Sequence, residues 1–339
     1  MNKWVLTIGI TLVLIPIIYL GIGFGLALLS PVDTPDPDRE NLKFTDLKTA
    51  SSENLPEEKT FEAKDGQQLT YRYYSSRSRQ DGSDQKTILV LIHGSGYHST
   101  YLWSLASNLA DKQIADVYTP DMRGHGEHVD RRGDVDYVGQ LENDLEDFLR
   151  IIKQKHPQSR IILGGHSSGG GLVIRYAGGQ NKNLADGYLL LAPYVHRKAP
   201  TNAVDSGWAN PDVPRIVGLQ MLNNVHITFL NHLPVISFNM PGNMRDSTET
   251  LKYSYRMQYS MVPHDDYKHD LKQIHPPALL VVGSEDHSFD SKAYKSLFGK
   301  YSGADVSVVD GLSHFGIVTD KKSQSLIADW IQSLSDSMQ

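Results

Sequence analysis

The chain has 339 residues, of which 40% are hydrophobic and 21% charged, and its formal net charge is −6. This balance predicts a globular protein with a sizeable core, and the sequence pI ≈ 6.1 gives no basic footprint, so we expect no nucleic-acid partner. Cysteine is absent, which excludes disulfides, thiol catalysis and thiolate metal sites.

The amino-terminal stretch stands apart from the rest of the sequence. Residues 4–29 carry no charge and consist mainly of Ile, Leu, Val and Gly. At 1.5 Å per residue such a helix exceeds the roughly 30 Å hydrocarbon core of a bilayer, so residues 1–30 are predicted to be a transmembrane anchor. A cleaved signal peptide is the alternative, which the length of the apolar run and Pro31 disfavour.

The orientation and self-association of this anchor follow from weaker signals. Lys3 precedes the apolar run, so we expect a single-pass membrane protein whose main domain lies on the extracytoplasmic side. Gly21 and Gly25 have the spacing of small residues at helix–helix contacts, which is compatible with a homodimer. Nothing else in the sequence supports one.

A polar stretch separates the anchor from an alternation of strands and helices. Residues 31–60 are rich in Pro, Asp, Glu and Ser, which predicts a tether without a core of its own. Within the predicted domain at residues 61–339, short apolar runs typical of strands buried on both faces occur at residues 87–92, 160–163, 188–191 and 278–282. Helical segments separate these runs, and we predict an α/β fold with a mostly parallel central sheet and helices on both faces.

Residues 194–275 interrupt this alternation. The stretch is long and rich in Asn, Met, His and Pro, and it follows a predicted strand, so we expect a cap over the ligand crevice. Trp208 and Phe229 are predicted to pack there or to line a channel for an acyl chain. Residues 264–270 hold metal-ligand residue types at a spacing that fits no standard site, and they are interpreted as a hydrophilic loop.

The strongest chemical motif is GHSSG at residues 165–169, between a predicted strand and a predicted helix. The turn is so tight that the neighbours of Ser167 must be small, and the helix amino terminus behind it favours negative charge. We predict Ser167 to be a nucleophile. An incidental serine in a glycine-rich turn is the alternative, while the glycine spacing disfavours a dinucleotide site.

A serine hydroxyl needs a base, and the base needs an acid to orient it. In the strand–turn–helix context of this motif the chain order is Ser, acid, His. Asp286 and His314 each follow a late predicted strand, so both are expected at the same sheet edge as Ser167. Glu285 and Asp290 compete with Asp286 for the role of the acid.

Acyl transfer also needs N–H donors for the oxyanion of the tetrahedral intermediate. The sequence HGSG at residues 93–96 follows the strand predicted at residues 87–92. We predict the backbone N–H groups of Ser95 and Ser168 as these donors, and His93 as a residue that braces the loop.

Together with DMRGHG at residues 121–126, these motifs resemble the monoacylglycerol lipase and lysophospholipase branch of the α/β hydrolases, which is sometimes grouped with serine aminopeptidases. The resemblance extends from about residue 60 to the end. It implies the α/β-hydrolase fold, and Arg123 and His125 receive no catalytic role. We expect a serine hydrolase that cleaves monoacylglycerol or lysophospholipid esters drawn from the membrane, with no cofactor and no metal.

Two alternatives remain open at this point. An amidase or aminopeptidase with the same triad would need an anionic group for the substrate amine, with Asp205, Asp212 and Asp246 as candidates in the cap. A membrane-tethered scaffold with an inactive site is the alternative from another class. Thioesters and small polar esters also remain possible substrates.

Overall fold

The computed structural model describes residues 3–31, 42–48, 55–76, 87–180, 184–202 and 207–336. Its strands are β1 (Glu58–Glu62), β2 (Gln68–Tyr74), β3 (Thr87–Ile92), β4 (Asp116–Pro120), β5 (Arg160–His166), β6 (Gly187–Leu191), β7 (Ala209–Pro211), β8 (Pro234–Phe238), β9 (Lys252–Ser254), β10 (Ala278–Gly283) and β11 (Asp305–Val309). Its helices are α1 (Lys3–Leu29), α2 (Thr45–Lys48), α3 (Trp103–Asp111), α4 (Gln140–Lys155), α5 (Ser168–Gly178), α6 (Val213–Asn224), α7 (Tyr255–Met261), α8 (Tyr267–Lys272), α9 (Ser291–Tyr301), α10 (Gly316–Thr319) and α11 (Lys321–Asp336).

The central sheet has eight strands in the order β1-β2-β4-β3-β5-β6-β10-β11. The β1–β2 hairpin and the β2–β4 pair are antiparallel, and all other neighbours are parallel. Strands β3, β4, β6 and β10 are buried at every position because helices cover both faces of the sheet. The predicted α/β-hydrolase fold is confirmed, and the parallel strands end at one common edge.

The predicted cap contains a small domain of its own and a returning segment. Strands β7, β8 and β9 form a separate antiparallel sheet, and α6 lies between the first two of them in sequence. The chain then returns to the body through α7 and α8, which pack against α5. The later part of residues 194–275 therefore supports the helix behind Ser167, while the earlier part covers the sheet edge.

Helix α1 packs along the cap helix α6 in the opposite direction. The hydroxyl of Tyr19 donates to the carbonyl of Met221 at 3.0 Å, and the Nε of Arg215 donates to the carbonyl of Ala27 at 3.0 Å. The backbones approach so closely that a Cβ at Gly218 would lie 2.6 Å from the nitrogen of Ala27. Within the described residues α1 is long and apolar enough to cross a membrane, judged by length and composition, and its last turns are attached to the cap.

Residues 42–48 differ from the predicted tether. Leu42, Phe44 and Leu47 are buried in the main hydrophobic core, and the Phe44 ring lies 5.5 Å from Trp208 and 5.1 Å from Phe315 between ring centres. The predicted tether was expected to lack a core of its own, and this part of it packs into the core of the main domain. Its apolar side chains are separated by polar ones, so the average composition concealed them.

Candidate active site

The predicted nucleophile lies in a strained turn between β5 and α5. Ser167 has φ +57° and ψ −122°, a conformation that costs about 1–3 kcal/mol and that the surrounding structure must impose. Its N–H donates to the carbonyl of Leu191 at 2.9 Å, and its carbonyl accepts from the N–H of Tyr194 at 2.9 Å. These backbone hydrogen bonds hold Ser167 at the carboxyl edge of the sheet.

The glycines around Ser167 are required by close backbone approaches. A Cβ at Gly165 would lie 2.4 Å from the carbonyl carbon of Gly169, and a Cβ at Gly169 would lie 2.4 Å from the carbonyl oxygen of His93. Real Cβ atoms do not make such contacts, so neither position accepts a side chain without moving the turn.

The loop after β10 and the loop after β11 bring an acid to a histidine. The Nδ1 of His314 lies 2.8 Å from Oδ2 of Asp286, and both side chains are buried. The other carboxylate oxygen of Asp286 accepts from the N–H groups of Ser288 at 2.7 Å and Phe289 at 3.1 Å. A carboxylate oxygen accepts, so Nδ1 of His314 carries the proton and Nε2 retains a lone pair. The arrangement suits a general base.

Tyr101 and His166, for which the sequence predicted no role, connect the loops around Ser167 by hydrogen bonds. The N–H of Gly94 donates to the Tyr101 hydroxyl at 2.6 Å, and this hydroxyl lies 2.8 Å from Nδ1 of His166. The Nε2 of His166 lies 3.1 Å from the carbonyl of His314. Because the Tyr101 oxygen accepts from Gly94, its O–H donates to His166, and His166 in turn donates to His314.

This chain of hydrogen bonds joins the loop after β3 to the loop that carries His314. Burial lowers the pKa of His166 well below its ordinary value, and the neighbouring His314 lowers it further, so His166 stays neutral. The position of His166 inside GHSSG was a signal that could have identified it. Tyr101 carried no such signal, because only the packing of the helical turn before α3 brings it there.

The turn after β3 is held by side chains from the cap. The Nε1 of Trp208 donates to Oγ of Ser95 at 3.2 Å, and the N–H of Gly96 donates to the Tyr253 hydroxyl at 3.1 Å. Among the described residues, neither the N–H of Ser95 nor that of Ser168 donates to a protein group. Both donors are therefore available to a bound oxyanion, as their predicted role requires.

His93 lies where a bracing residue would. The N–H of Met122 donates to its Nε2 at 3.1 Å, and its Nδ1 donates to the carbonyl of Gly94 at 2.8 Å. Complete burial lowers the pKa of His93, which keeps the ring neutral between these two partners. His125 has a comparable position, with Nε2 at 2.6 Å from the Tyr253 hydroxyl, while Arg123 forms an ion pair with Asp144 at 2.7 Å.

Ser167, His314 and one predicted oxyanion donor, Ser95, share a small pocket. Its free volume is ≈ 10 Å³, about the space of one water molecule. No carboxylate lines it among the described residues, which are Leu42, Phe44, Gly94, Ser95, Tyr97, Tyr101, His166, Ser167, Trp208, Met240, His314 and Phe315. The lining is therefore mostly aromatic and aliphatic around a few polar groups.

The other candidates from the sequence lie elsewhere. Asp205 falls outside the described residues. Asp212 caps α6 through the N–H of Arg215 at 3.0 Å, and Asp246 accepts from the N–H of Thr248 at 3.0 Å. Phe229 is 67% exposed and packs near α1 rather than in the pocket. The interpretation of residues 264–270 as a hydrophilic loop is wrong for its second half, because α8 begins at Tyr267 and both Tyr267 and Asp270 are buried. Nδ1 of His264 lies 3.0 Å from both carboxylate oxygens of Asp270, and no set of residues in the described ranges is grouped to hold a metal.

Comparison with known proteins places this geometry in a family. The family model described as serine aminopeptidase, S33, matches residues 83–317. A monoglyceride lipase homolog of Monkeypox virus is 24% identical over 247 residues, which cover 68% of this chain and 82% of the viral protein.

Solved structures extend the comparison to the amino-terminal helix. A soluble variant of monoglyceride lipase from Saccharomyces cerevisiae, in complex with a substrate analog, has a TM-score of 0.63 at 17% identity and covers 84% of this chain and 97% of its own. A membrane phospholipase A described as a bacterial virulence factor has a TM-score of 0.54 at 15% identity and covers 99% of both chains. At these identities the likeness establishes the fold.

Proposed function

We propose that this chain, which belongs to the α/β-hydrolase family described as serine aminopeptidase, S33, and is a serine ester hydrolase of the lipase-like type, cleaves carboxylic esters of monoacylglycerol or lysophospholipid type through an acyl-enzyme on Ser167. The observation that carries the proposal is the 2.8 Å contact between His314 and Asp286 beside the pocket that holds Ser167 in its strained turn.

In the proposed reaction, Oγ of Ser167 attacks the ester carbonyl carbon while Nε2 of His314 takes the hydroxyl proton. Asp286 holds the Nδ1–H of the imidazolium that forms. The N–H groups of Ser95 and Ser168 stabilise the oxyanion, each contributing about 10²–10³ in rate. His314 then protonates the leaving alcohol. A water molecule that gives a proton to His314 then attacks the acyl-enzyme, and the fatty acid is released as His314 returns that proton to Oγ of Ser167. These steps call for no metal or cofactor.

The pocket lining favours an ester over a peptide with a free amino terminus. An aminopeptidase must hold a substrate ammonium, and burying that charge without an anionic partner costs several kcal/mol. Of the carboxylates considered for this role, Asp212 and Asp246 are bonded within the cap and do not line the pocket. Apolar residues such as Trp208, Met240 and Phe315 line it instead, which suits an acyl chain.

The packing of α1 on the cap supports a membrane substrate. Residues 3–18 precede the part of α1 that contacts α6 and extend over about 24 Å, less than the roughly 30 Å hydrocarbon core. If α1 spans the bilayer, its next turn and the adjoining end of α6 therefore enter the lipid. Exposed Phe229, whose ring lies 6.3 Å from that of Phe24, extends the same apolar surface. We propose a single-pass anchor with the hydrolase domain at the extracytoplasmic membrane surface.

Fluorophosphonate labelling of the full chain and of Ser167→Ala tests the nucleophile. We expect labelling of the wild type alone, and loss of ester hydrolysis in the variant by about 10⁴ or more. Turnover of nitrophenyl esters of graded length, lysophospholipid and an aminoacyl amide then separates the substrate classes. Rates that rise with acyl length support the lipid proposal, whereas amide turnover supports a peptidase. Absence of labelling in the wild type supports an inactive scaffold.

A further inference from the structure

We propose that residues 42–48 form a movable wall of the active site, in which Leu42 and Phe44 control the access of an acyl chain to Ser167 and so act as specificity-determining residues. The inference rests on the proposed function, because it assumes that esters react at Ser167. It concerns a segment that precedes the residues matched by the family model, which begin at residue 83.

The pocket is filled in the structure, and this segment fills much of it. Leu42 and Phe44 line the pocket together with Ser167 and His314, and the free volume left is ≈ 10 Å³. An ester carbonyl must come within about 3–3.5 Å of the attacking oxygen, and a space for one water molecule cannot hold even a short acyl group there. Substrate binding therefore requires one of the lining side chains to move.

The attachment of residues 42–48 allows such a movement. Among the described residues, the backbone hydrogen bonds of the segment stay within it, namely Phe44 to Leu42, Asp46 to Lys43 and Leu47 to Phe44. Side chains make its contacts with the domain: Nζ of Lys43 lies 2.8 Å from Glu285, the carboxylate of Asp46 accepts from the Ser313 hydroxyl, and three apolar side chains are buried. The segment can withdraw without breaking a strand or a long helix.

The aromatic residue on the cap side of the pocket is held more firmly. The indole N–H of Trp208 donates to Oγ of Ser95, and the backbone carbonyl of Trp208 accepts from the N–H of Asn239 at 2.8 Å. Strand β7 begins at the next residue. Displacing Trp208 would disturb both the cap sheet and the turn that presents the Ser95 N–H. Phe44 is therefore the side chain that gives way to substrate.

Withdrawal of Phe44 would leave an apolar slot that could hold an acyl chain. Its ring contacts Trp208 and Phe315, so the vacated surface remains apolar and suits an acyl chain. A long acyl chain recovers the burial that Phe44 loses, because the gain grows with each buried CH₂ group. An acetyl group recovers little of it. The wall thus favours long-chain esters over short ones.

A reversible cross-link tests the movement, and the absence of native cysteine makes it specific. The side chains of Asp46 and Ser313 touch, so Asp46→Cys with Ser313→Cys places two thiols side by side. In detergent micelles, we expect oxidation of the full-length double variant to lower kcat/KM for a dodecanoyl nitrophenyl ester by about tenfold or more, and dithiothreitol to restore it. Each single variant serves as a control and should not respond to the redox change.

The Phe44→Ala variant gives a second, independent readout. We expect it to raise the fluorophosphonate labelling rate and the turnover of the acetyl ester by about tenfold, which removes much of the preference for long chains. Phe61→Ala is the matched control, since Phe61 is 7% exposed where Phe44 is 6% exposed but packs on Tyr71 and Phe148, away from the pocket. It should leave the ratio of long-chain to short-chain turnover unchanged.

The outcomes separate the two proposals. Suppose that the reduced double variant and the wild type are both labelled at Ser167, but the confirmed cross-link leaves turnover of the dodecanoyl ester unchanged. The proposed movement of residues 42–48 is then refuted, while the proposed hydrolase function is retained. If Phe44→Ala has the labelling rate and the chain-length preference of the wild type, the proposed role of Phe44 in acyl-chain access is also refuted, whether or not the cross-link forms. Absence of labelling in every form refutes the proposed function itself.

Discussion

The substitution Tyr101→Phe removes one oxygen atom and tests the hydrogen-bond chain behind the proposed nucleophile, Ser167. The hydroxyl accepts from the N–H of Gly94 at 2.6 Å and lies 2.8 Å from Nδ1 of His166. Both partners are buried, and a buried polar group that loses its partner costs about 1–3 kcal/mol. We therefore expect the free energy of unfolding to fall by about 2–6 kcal/mol, a large part of a total of about 5–15 kcal/mol.

The same substitution should slow catalysis. Gly94 immediately precedes Ser95, whose N–H is a proposed oxyanion donor, and His166 contacts the carbonyl of His314. Complete loss of an oxyanion donor costs about 10²–10³ in kcat, so a displaced donor should cost about tenfold. Urea unfolding followed by tryptophan fluorescence gives the stability. Turnover of a nitrophenyl ester, normalised by fluorophosphonate titration of active sites, gives kcat.

Tyr97→Phe is the matched control for the change in stability. Tyr97 lines the same pocket, but its hydroxyl makes no hydrogen bond within the described residues, so removing it should change the free energy of unfolding by about 0.5 kcal/mol or less. If Tyr101→Phe unfolds at the same urea concentration as Tyr97→Phe and keeps the wild-type kcat, the assigned role of the hydrogen-bond chain is incorrect.

Three further predictions follow from the site. Gly165→Ala should lower the free energy of unfolding by about 1–3 kcal/mol and kcat by about tenfold or more, since its Cβ would meet the next turn at 2.4 Å; urea unfolding and ester turnover measure both. Asp286→Asn should lower kcat by about 10⁴, because the amide favours the wrong tautomer of His314, the proposed general base. Burial lowers the pKa values of His125 and His166 well below the ordinary 6.5. The unfolded chain therefore binds more protons than the folded chain below pH 6.5. As the pH falls from about 7.5 to about 5.5, each of the two histidines should lower the free energy of unfolding by about 1.4 kcal/mol, as measured by urea unfolding.

Each of these predictions has a control. Gly299→Ala lies in α9 with nothing within 4 Å of its Cβ and should be neutral or slightly stabilising. A loss of stability as large as that of Gly165→Ala would show that the close approach is not the cause. Asp290→Asn keeps a side-chain acceptor for the α9 cap and should retain turnover, and equal losses in the two Asp variants would contradict the assignment of Asp286 as the acid. Stability that rises as the pH falls from 7.5 would contradict neutral burial of the two histidines.

Local constraints made much of the fold and of the proposed triad predictable. The runs at residues 87–92 and 278–282 matched β3 and β10 closely, because a strand buried on both faces must be apolar throughout. GHSSG was informative because the glycine requirement is a steric property of the turn itself. Asp286 and His314 could be placed because parallel strands end at one edge, whatever the details of packing.

Other parts could not be predicted, because their positions depend on contacts between distant segments. The sheet formed by β7, β8 and β9 is made of short, partly exposed strands with no continuous apolar run. Tyr101 lies beside His166 because the turn before α3 packs there. The pairing of α1 with α6 depends on the approach of Gly218 to the backbone of Ala27, which neither segment reveals alone.

The sequence by itself determined the reaction class, since the turn at Ser167 and the strand-end positions of Asp286 and His314 are set by local geometry and by the direction of the chain. Only the tertiary structure decided what surrounds the proposed nucleophile. Phe44 reaches the pocket from a stretch that looked like a polar tether, because burial of an apolar side chain depends on a partner surface that the rest of the chain provides. Substrate access therefore depends on long-range packing, whereas the chemistry follows from local sequence.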